Sequence, residues 1–238
     1  MTDFSRSEQL HNQLEAIISL ADAGQRLPSE PRLAEQLGVS RATLREAMRT
    51  FETQGLLRRR QGVGTFVVRP TQVIDSGLEV LESIESLSDR IGLPVAMGDF
   101  QLVDCEADEV VAEKLKVEPG SKVQRISRVI MADDRPVAFL VDTLRLGLLV
   151  SEEVGDEFTG SVLDILLNRG DPVLGHSRCE INAVAAASDV ARALDIQRGD
   201  SVLRFVSLLF SKDGEPVDYS FSYFLPGYFR FHVVRRVG

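Results

Sequence analysis

The run Gly38-Val39-Ser40 separates two amphipathic stretches of unequal length, and it restricts the fold more tightly than any other feature of the chain. Upstream, Leu33, Ala34 and Leu37 share one helical face. Ser29 can cap that helix, Glu30 complements its positive end, and Pro31 is tolerated in the first turn. Gly38 stops it after about two turns. Downstream, Ser40 offers a second cap, and a helix is predicted over 41–54 with Leu44, Ala47, Met48 and Phe51 inward. A longer helix over 6–23 precedes the pair, striped by Leu10, Leu14, Ile17 and Ile18 and closed by Gly24. A short helix, a tight Gly turn and a longer helix form a helix-turn-helix. Two short strands around Gln61-Gly62-Val63-Gly64 then predict a hairpin, the wing of a winged helix.

Charge supports a nucleic-acid face. The chain carries a net charge of −9, but residues 1–70 hold ten Arg, no Lys and eight acids, a balance of +2. Within 41–69, seven Arg stand against Glu46 and Glu52. A basic patch on an acidic protein confines phosphate contact to one surface. Arg41, Thr43 and Arg45 sit near the exposed start of the 41–54 helix. Arg pairs bidentately with guanine, and Thr reaches base edges or phosphates.

The stretches Leu27-Pro28-Ser29-Glu30, Leu33 through Ala47, Gly55-Leu56-Leu57 and Gly62-Val63-Gly64-Thr65-Phe66-Val67 resemble the DNA-binding domain of the GntR family, with spacing intact over about 65 residues. The resemblance implies base and phosphate contact by Arg41, Thr43 and Arg45, and wing contact by Gly62, Gly64 and their neighbours. Many relatives carry Arg where this chain has Pro31; Arg32 follows, about 100° further round the helix. The DNA-contacting set is thus Glu30, Arg32, Ser40, Arg41, Thr43, Arg45, Arg59, Gln61, Gly62, Gly64 and Thr65. One recognition helix reads only a few base pairs, so a homodimer on a palindromic operator of double-stranded DNA is expected.

The domain reading is 1–69 for the winged helix-turn-helix, 70–91 for a linker and a connecting helix over 76–91, and 92–238 for a second domain. Leu78, Leu81, Ile84, Leu87 and Ile91 would stripe the connecting helix. The second domain repeats itself weakly. Val111 to Leu115 and Pro119 to Val123 recur 79 residues later, and Arg135-Pro136-Val137 recurs as Glu215-Pro216-Val217. Each unit reads as strand, short helix, Gly turn, strand, hairpin, strand, so the class is α+β with a mainly antiparallel sheet. An apolar helix opens at Ser161 between the units.

Together with Gly160-Ser161-Val162-Leu163, Glu215 through Ser220 and Tyr223-Phe224, this layout is similar to the UTRA sensor domain of the HutC subfamily of GntR regulators, whose fold is that of chorismate lyase. The resemblance implies a small-molecule effector between the sheet and the Ser161 helix, contacted by Arg128, Asp142, Ser161, Asp218 and Tyr223. Arg128 and a serine at a helix start suggest an anionic effector. Ile130 and Leu140 depart from the sugar-phosphate sensors of that family, and Asp142 shares the strand face of Leu140. The aromatic residues at 221–231 are read mainly as core or interface.

The alternative is an enzyme of chorismate-lyase-like fold joined to a DNA-binding module. His11, His176 and His232 stand apart, with no nucleophile motif and no metal-ligand spacing, so no catalysis, cofactor or metal is expected. Cys105 and Cys179 are expected to be buried free thiols. No signal peptide and no apolar run of about 20 residues is legible, so the expected location is the cytoplasm, with no membrane partner. The whole reads as a transcription regulator, a repressor controlled by an effector.

Overall fold

The computed structural model describes residues 6–22, 24–53, 56–60, 63–67, 74–91, 93–149, 154 and 158–234. They form two compact bodies, the second beginning at Ile74. Among these residues no helix is long and apolar enough to cross a membrane.

The N-terminal body contains α1 (Arg6–Leu20), α2 (Glu30–Gln36), α3 (Arg41–Thr53), β1 (Leu57–Arg60) and β2 (Gly64–Val67). Its core joins Leu10, Leu14 and Ile18 of α1, Leu33 and Ala34 of α2, and Leu44, Met48 and Phe51 of α3. Those are the faces that apolar spacing selects. Ser40 caps α3, its Oγ accepting from the Thr43 N–H at 3.1 Å. Ser29 departs from expectation, because its side chain makes no capping bond. β1 and β2 are antiparallel, with Leu57 opposite Val67 and Arg60 opposite Gly64.

The C-terminal body contains β3 (Ile74–Gly77), α4 (Ile84–Ile91), β4 (Val95–Glu106), α5 (Glu109–Leu115), β5 (Lys122–Ala132), β6 (Arg135–Arg145), α6 (Val162–Arg169), β7 (Leu174–Ala185), α7 (Ser188–Ala193), β8 (Ser201–Ser211), β9 (Pro216–Phe224) and β10 (Phe229–His232). Six strands form one antiparallel sheet in the order β4-β5-β6-β9-β8-β7. The order mirrors about the β6–β9 pair, so each half is one copy of the repeat. The repeat reaches the backbone: Lys116 after α5 and Asp195 after α7 lie 79 residues apart, and both have φ 51. Asp133 and Asp134, both at positive φ, make the two-residue turn of the β5–β6 hairpin.

α5 packs on Val123 and Tyr219, and α6 packs on Ile126, Leu144 and Leu209. On β5, Val123 and Ile126, of opposite parity, therefore feed separate cores. The helix expected over 76–91 forms only from Ile84. Residues 76 and 77 belong instead to β3, parallel to β10 with Ile74 beside Phe229, and residues 78–83 are neither helix nor strand. Ile84 and Leu87 are buried, whereas Leu78 and Leu81 are exposed and have no core to bind them into a helix face.

Candidate DNA interface and effector cavity

The start of α3 presents Ser40, Arg41, Thr43 and Arg45 to solvent. The Ser40 and Thr43 hydroxyls lie 2.8 Å apart, so the cap also fixes the Thr43 side chain. Arg45 donates through Nε and Nη2 to Oε2 of Glu30, at 3.1 and 2.8 Å. Arg59 of β1 donates through Nη2 to Oε1 of the same carboxylate. Glu30, expected as a DNA contact, is thus a bracket that ties the recognition helix to the hairpin. Two guanidiniums share one acid, which leaves the cluster with one net positive charge. Arg32 is exposed.

Thr65 departs from expectation. Its residue is only 7% exposed, so its side chain does not face a partner, and its carbonyl accepts from the Leu27 N–H at 2.8 Å. Gly64 has φ +142, and a Cβ there would stand 2.5 Å from Nε of Arg26. The backbone conformation is what favours glycine here, since the exposed Arg26 side chain could move aside. Gln61 and Gly62 lie outside the described residues.

The C-terminal body encloses a cavity of about 910 Å³. The sheet contributes Arg128, Leu140, Asp142, Asp218, Ser220 and Ser207, α6 and its cap contribute Ser161, Val162 and Leu166, and α4 contributes Glu85. Strand register aligns Asp142 with Ser220, and Ser220 with Ser207. Arg128 is buried; its Nε donates to the Gly160 carbonyl and its Nη1 to Asp142. Asp218 Oδ1 accepts from the Thr143 N–H at 3.2 Å. Burial, and then the neighbouring Asp142 charge, hold the Asp218 carboxyl well above the usual aspartate range. Burial likewise raises Glu85.

Ser161 caps α6, accepting from the Asp164 N–H at 3.0 Å, and Asp164 in turn accepts from the Ser83 hydroxyl at 2.7 Å. The expectation of an anionic effector rested on Arg128 and this helix start. Arg128 is already matched by a carboxylate, and the Ser161 hydroxyl oxygen already serves its own helix.

Tyr223 does not line the cavity. It lies on the opposite sheet face, its ring 6.2 Å from that of Phe139. Strand parity explains this, since Asp218 and Tyr223 are five apart. Sequence reasoning missed Glu85 and Ser83, which sit where a uniform connecting helix was expected. It also missed an aromatic wall, in which Phe205, Phe224, Phe229 and Phe231 line the same cavity with rings 4.5 to 5.8 Å apart. The two cysteines are not buried as expected: Cys105 is half-buried, and Cys179 is exposed and lines the cavity. Among the described residues no group of His, Cys, Asp and Glu is placed to hold a metal ion.

Residues 7–67 match the family of bacterial regulatory proteins called gntR, and residues 100–230 match the UTRA domain. The chain belongs to the GntR family, in its UTRA-bearing branch. It is 30% identical over 197 residues to the HTH-type transcriptional repressor NagR of Bacillus subtilis, covering 82% of this chain and 79% of that one. It is 28% identical to the histidine utilization repressor of Pseudomonas putida, covering 75% and 70%. The crystal structure of PhnF from Mycobacterium smegmatis shares the fold, with TM-score 0.64 at 22% identity, covering 96% of this chain and 100% of that one. The two repressors are transcription regulators by name, and this GntR chain is one as well, with a DNA-binding domain and an effector-binding UTRA domain.

Proposed function

We propose that this GntR regulator is a repressor that binds a palindromic operator as a homodimer in the cytoplasm, and that a small molecule in the UTRA cavity changes its operator affinity. One observation carries the reading. A single chain joins an arginine-lined recognition helix, ordered by Glu30, to a second body with a cavity whose polar groups are buried and converge. Repression follows the printed names of NagR and the histidine utilization repressor. The dimer follows from the short reach of one recognition helix, with half-sites about 10 bp apart.

The test begins by selecting an operator from random DNA with the full chain. Metabolites are then screened for thermal stabilisation, and each hit is titrated with and without operator. Linkage requires the effector to change operator affinity by the same factor by which operator changes effector affinity, about 5- to 150-fold in typical cases. A hit that stabilises the protein yet leaves operator affinity unchanged at saturation would refute control through this cavity. A monomer on the palindromic site would refute the assembly.

A further inference from the structure

The charge balance of the cavity points to the chemistry of its ligand. Five carboxyl groups line it, at Glu79, Glu82, Glu85, Asp142 and Asp218, against one guanidinium, Arg128. Arg128 is bound by Asp142 and by the Gly160 carbonyl. Glu82 is bound by both terminal nitrogens of Arg90, at 2.8 and 3.0 Å. Glu85 differs from these, because its Oε1 is shielded from solvent and has no hydrogen-bond partner. That oxygen lies against Gly160, 2.9 Å from where a Cβ would stand, and so beside the residue whose carbonyl holds Arg128. A shielded carboxylate oxygen without a donor is costly, and a ligand that brings a donor relieves the cost. Negative charge added here would instead meet Glu85 and the Asp142–Asp218 pair, with the one nearby guanidinium already matched.

The other end of the cavity is apolar and aromatic. Phe205, Phe224, Phe229 and Phe231 form a continuous wall. Phe205 is two strands across and two residues along from the position of Asp142, which places the two Cα atoms about 12 Å apart. That separation fits one bifunctional small molecule rather than two.

We propose that the cavity takes a small organic monocation, a protonated amine or similar basic nitrogen seated against Glu85 and the Asp142–Asp218 pair, with an apolar or aromatic tail on the phenylalanine wall. This rests on the reading of the cavity as the effector site. Hydrogen bonds from a charged donor to a buried carboxylate are strong, and the rings stabilise both the tail and the adjoining positive charge.

The test uses three probes of one skeleton, phenylbutylamine, phenylbutanol and phenylbutyrate, titrated calorimetrically into the full chain, with operator affinity measured at saturation. The amine is expected to bind at least tenfold tighter than the alcohol, and the butyrate more weakly than either. Glu85→Gln, nearly isosteric, should reduce the preference for amine over alcohol at least tenfold. Asp218→Asn, whose amide oxygen can still accept from Thr143, should reduce it as well and guards against a folding artefact at Glu85. Tighter binding of the butyrate, an unchanged preference in both variants, or no binding by any probe would overturn the proposal. Butyrate binding that also shifts operator affinity would overturn this inference and leave the effector-controlled function standing. Amine binding that leaves operator affinity unchanged would do the reverse.

Discussion

The two bodies each contain a three-membered charge cluster, and the clusters are opposites. In the N-terminal body two arginines share one acid, with Arg45 and Glu30 side chains 55% and 16% exposed. In the UTRA body one arginine lies among acids, with Arg128 and Asp142 side chains 6% and 12% exposed. The first cluster is open to water and net positive, so phosphate can compete for its arginines at little cost to the fold. The second is buried and acid-rich, so its charges hold one another and respond to whatever enters the cavity. Exposure, rather than the presence of an ion pair, decides how much of the fold's stability each cluster holds.

The largest expected effect follows from removing one partner of the buried cluster. Arg128→Ala leaves Asp142 without its cation and should destabilise the UTRA body by about 3–5 kcal/mol. Glu30→Ala opens an exposed cluster and should cost the N-terminal body no more than about 1 kcal/mol. Urea unfolding of both variants measures the contrast, and equal losses would break the comparison.

On DNA the order reverses. Arg41→Ala and Arg45→Ala should each weaken operator binding by about 1–3 kcal/mol while leaving random DNA less affected. Arg59→Ala should weaken binding about equally on all sequences and reduce the salt slope by about 1. Glu30→Ala should raise affinity for random DNA and lower the operator-to-random ratio, because the bracket is lost together with its negative charge. Anisotropy titrations at several salt concentrations separate these outcomes. Equal effects of all three arginine variants on both DNAs would show that base reading lies elsewhere.

Much of this contrast was legible in the sequence, for identifiable reasons. Glycine and serine punctuation around 38–40 and apolar spacing in α1 to α3 are local signals, and the observed elements begin and end within a few residues of expectation. The 79-residue repeat pointed to two like units in a mainly antiparallel sheet, whereas their mirrored order about β6 and β9 comes from long-range strand pairing. The 76–91 segment misled because β3 pairs with β10, about 150 residues away, and no local pattern encodes that partner. Arg128 and Asp142 were named separately, but their pairing needs the β5–β6 register. Tyr223 was avoidable, since its odd spacing from Asp218 places it on the other face. Glu30 carried a signal of its own: an acid in a segment rich in arginine is better matched to arginine than to a polyanion.

The buried cluster should also invert the usual response to pH. Asp218 is raised in the folded state by burial and by Asp142, with Arg128 opposing. A raised folded value means that the folded state holds the proton more tightly than the unfolded chain. The stability this group contributes is therefore fully present below its unfolded value, near 3.8, and is lost as pH rises through the folded value. Glu85 acts in the same direction. Asp218→Asn should flatten the decline in stability of the UTRA body from acid towards neutral pH. An unchanged pH profile in that variant would show that Asp218 ionises normally.

The smallest effect is the cleanest comparison, because each body opens a helix on a serine in the same chemical role. Ser40 Oγ accepts from the Thr43 N–H at 3.1 Å, and Ser161 Oγ accepts from the Asp164 N–H at 3.0 Å. Loss of a serine cap costs about 0.5–2 kcal/mol, and where a given cap falls depends on what replaces the hydroxyl. Ser40 is exposed, so water reaches the freed N–H, and Ser40→Ala should fall near the low end, about 0.5 kcal/mol. Ser161 is only 2% exposed, and Asp164 beside it is already committed to the Ser83 hydroxyl. The freed N–H there finds no ready substitute, so Ser161→Ala should fall near the high end, about 2 kcal/mol. Ser40→Ala should also weaken operator binding through the released Thr43 hydroxyl, whereas Ser161→Ala should leave operator binding without effector unchanged. If the two caps cost the same in unfolding experiments, exposure does not set the balance between fold and recognition in this regulator.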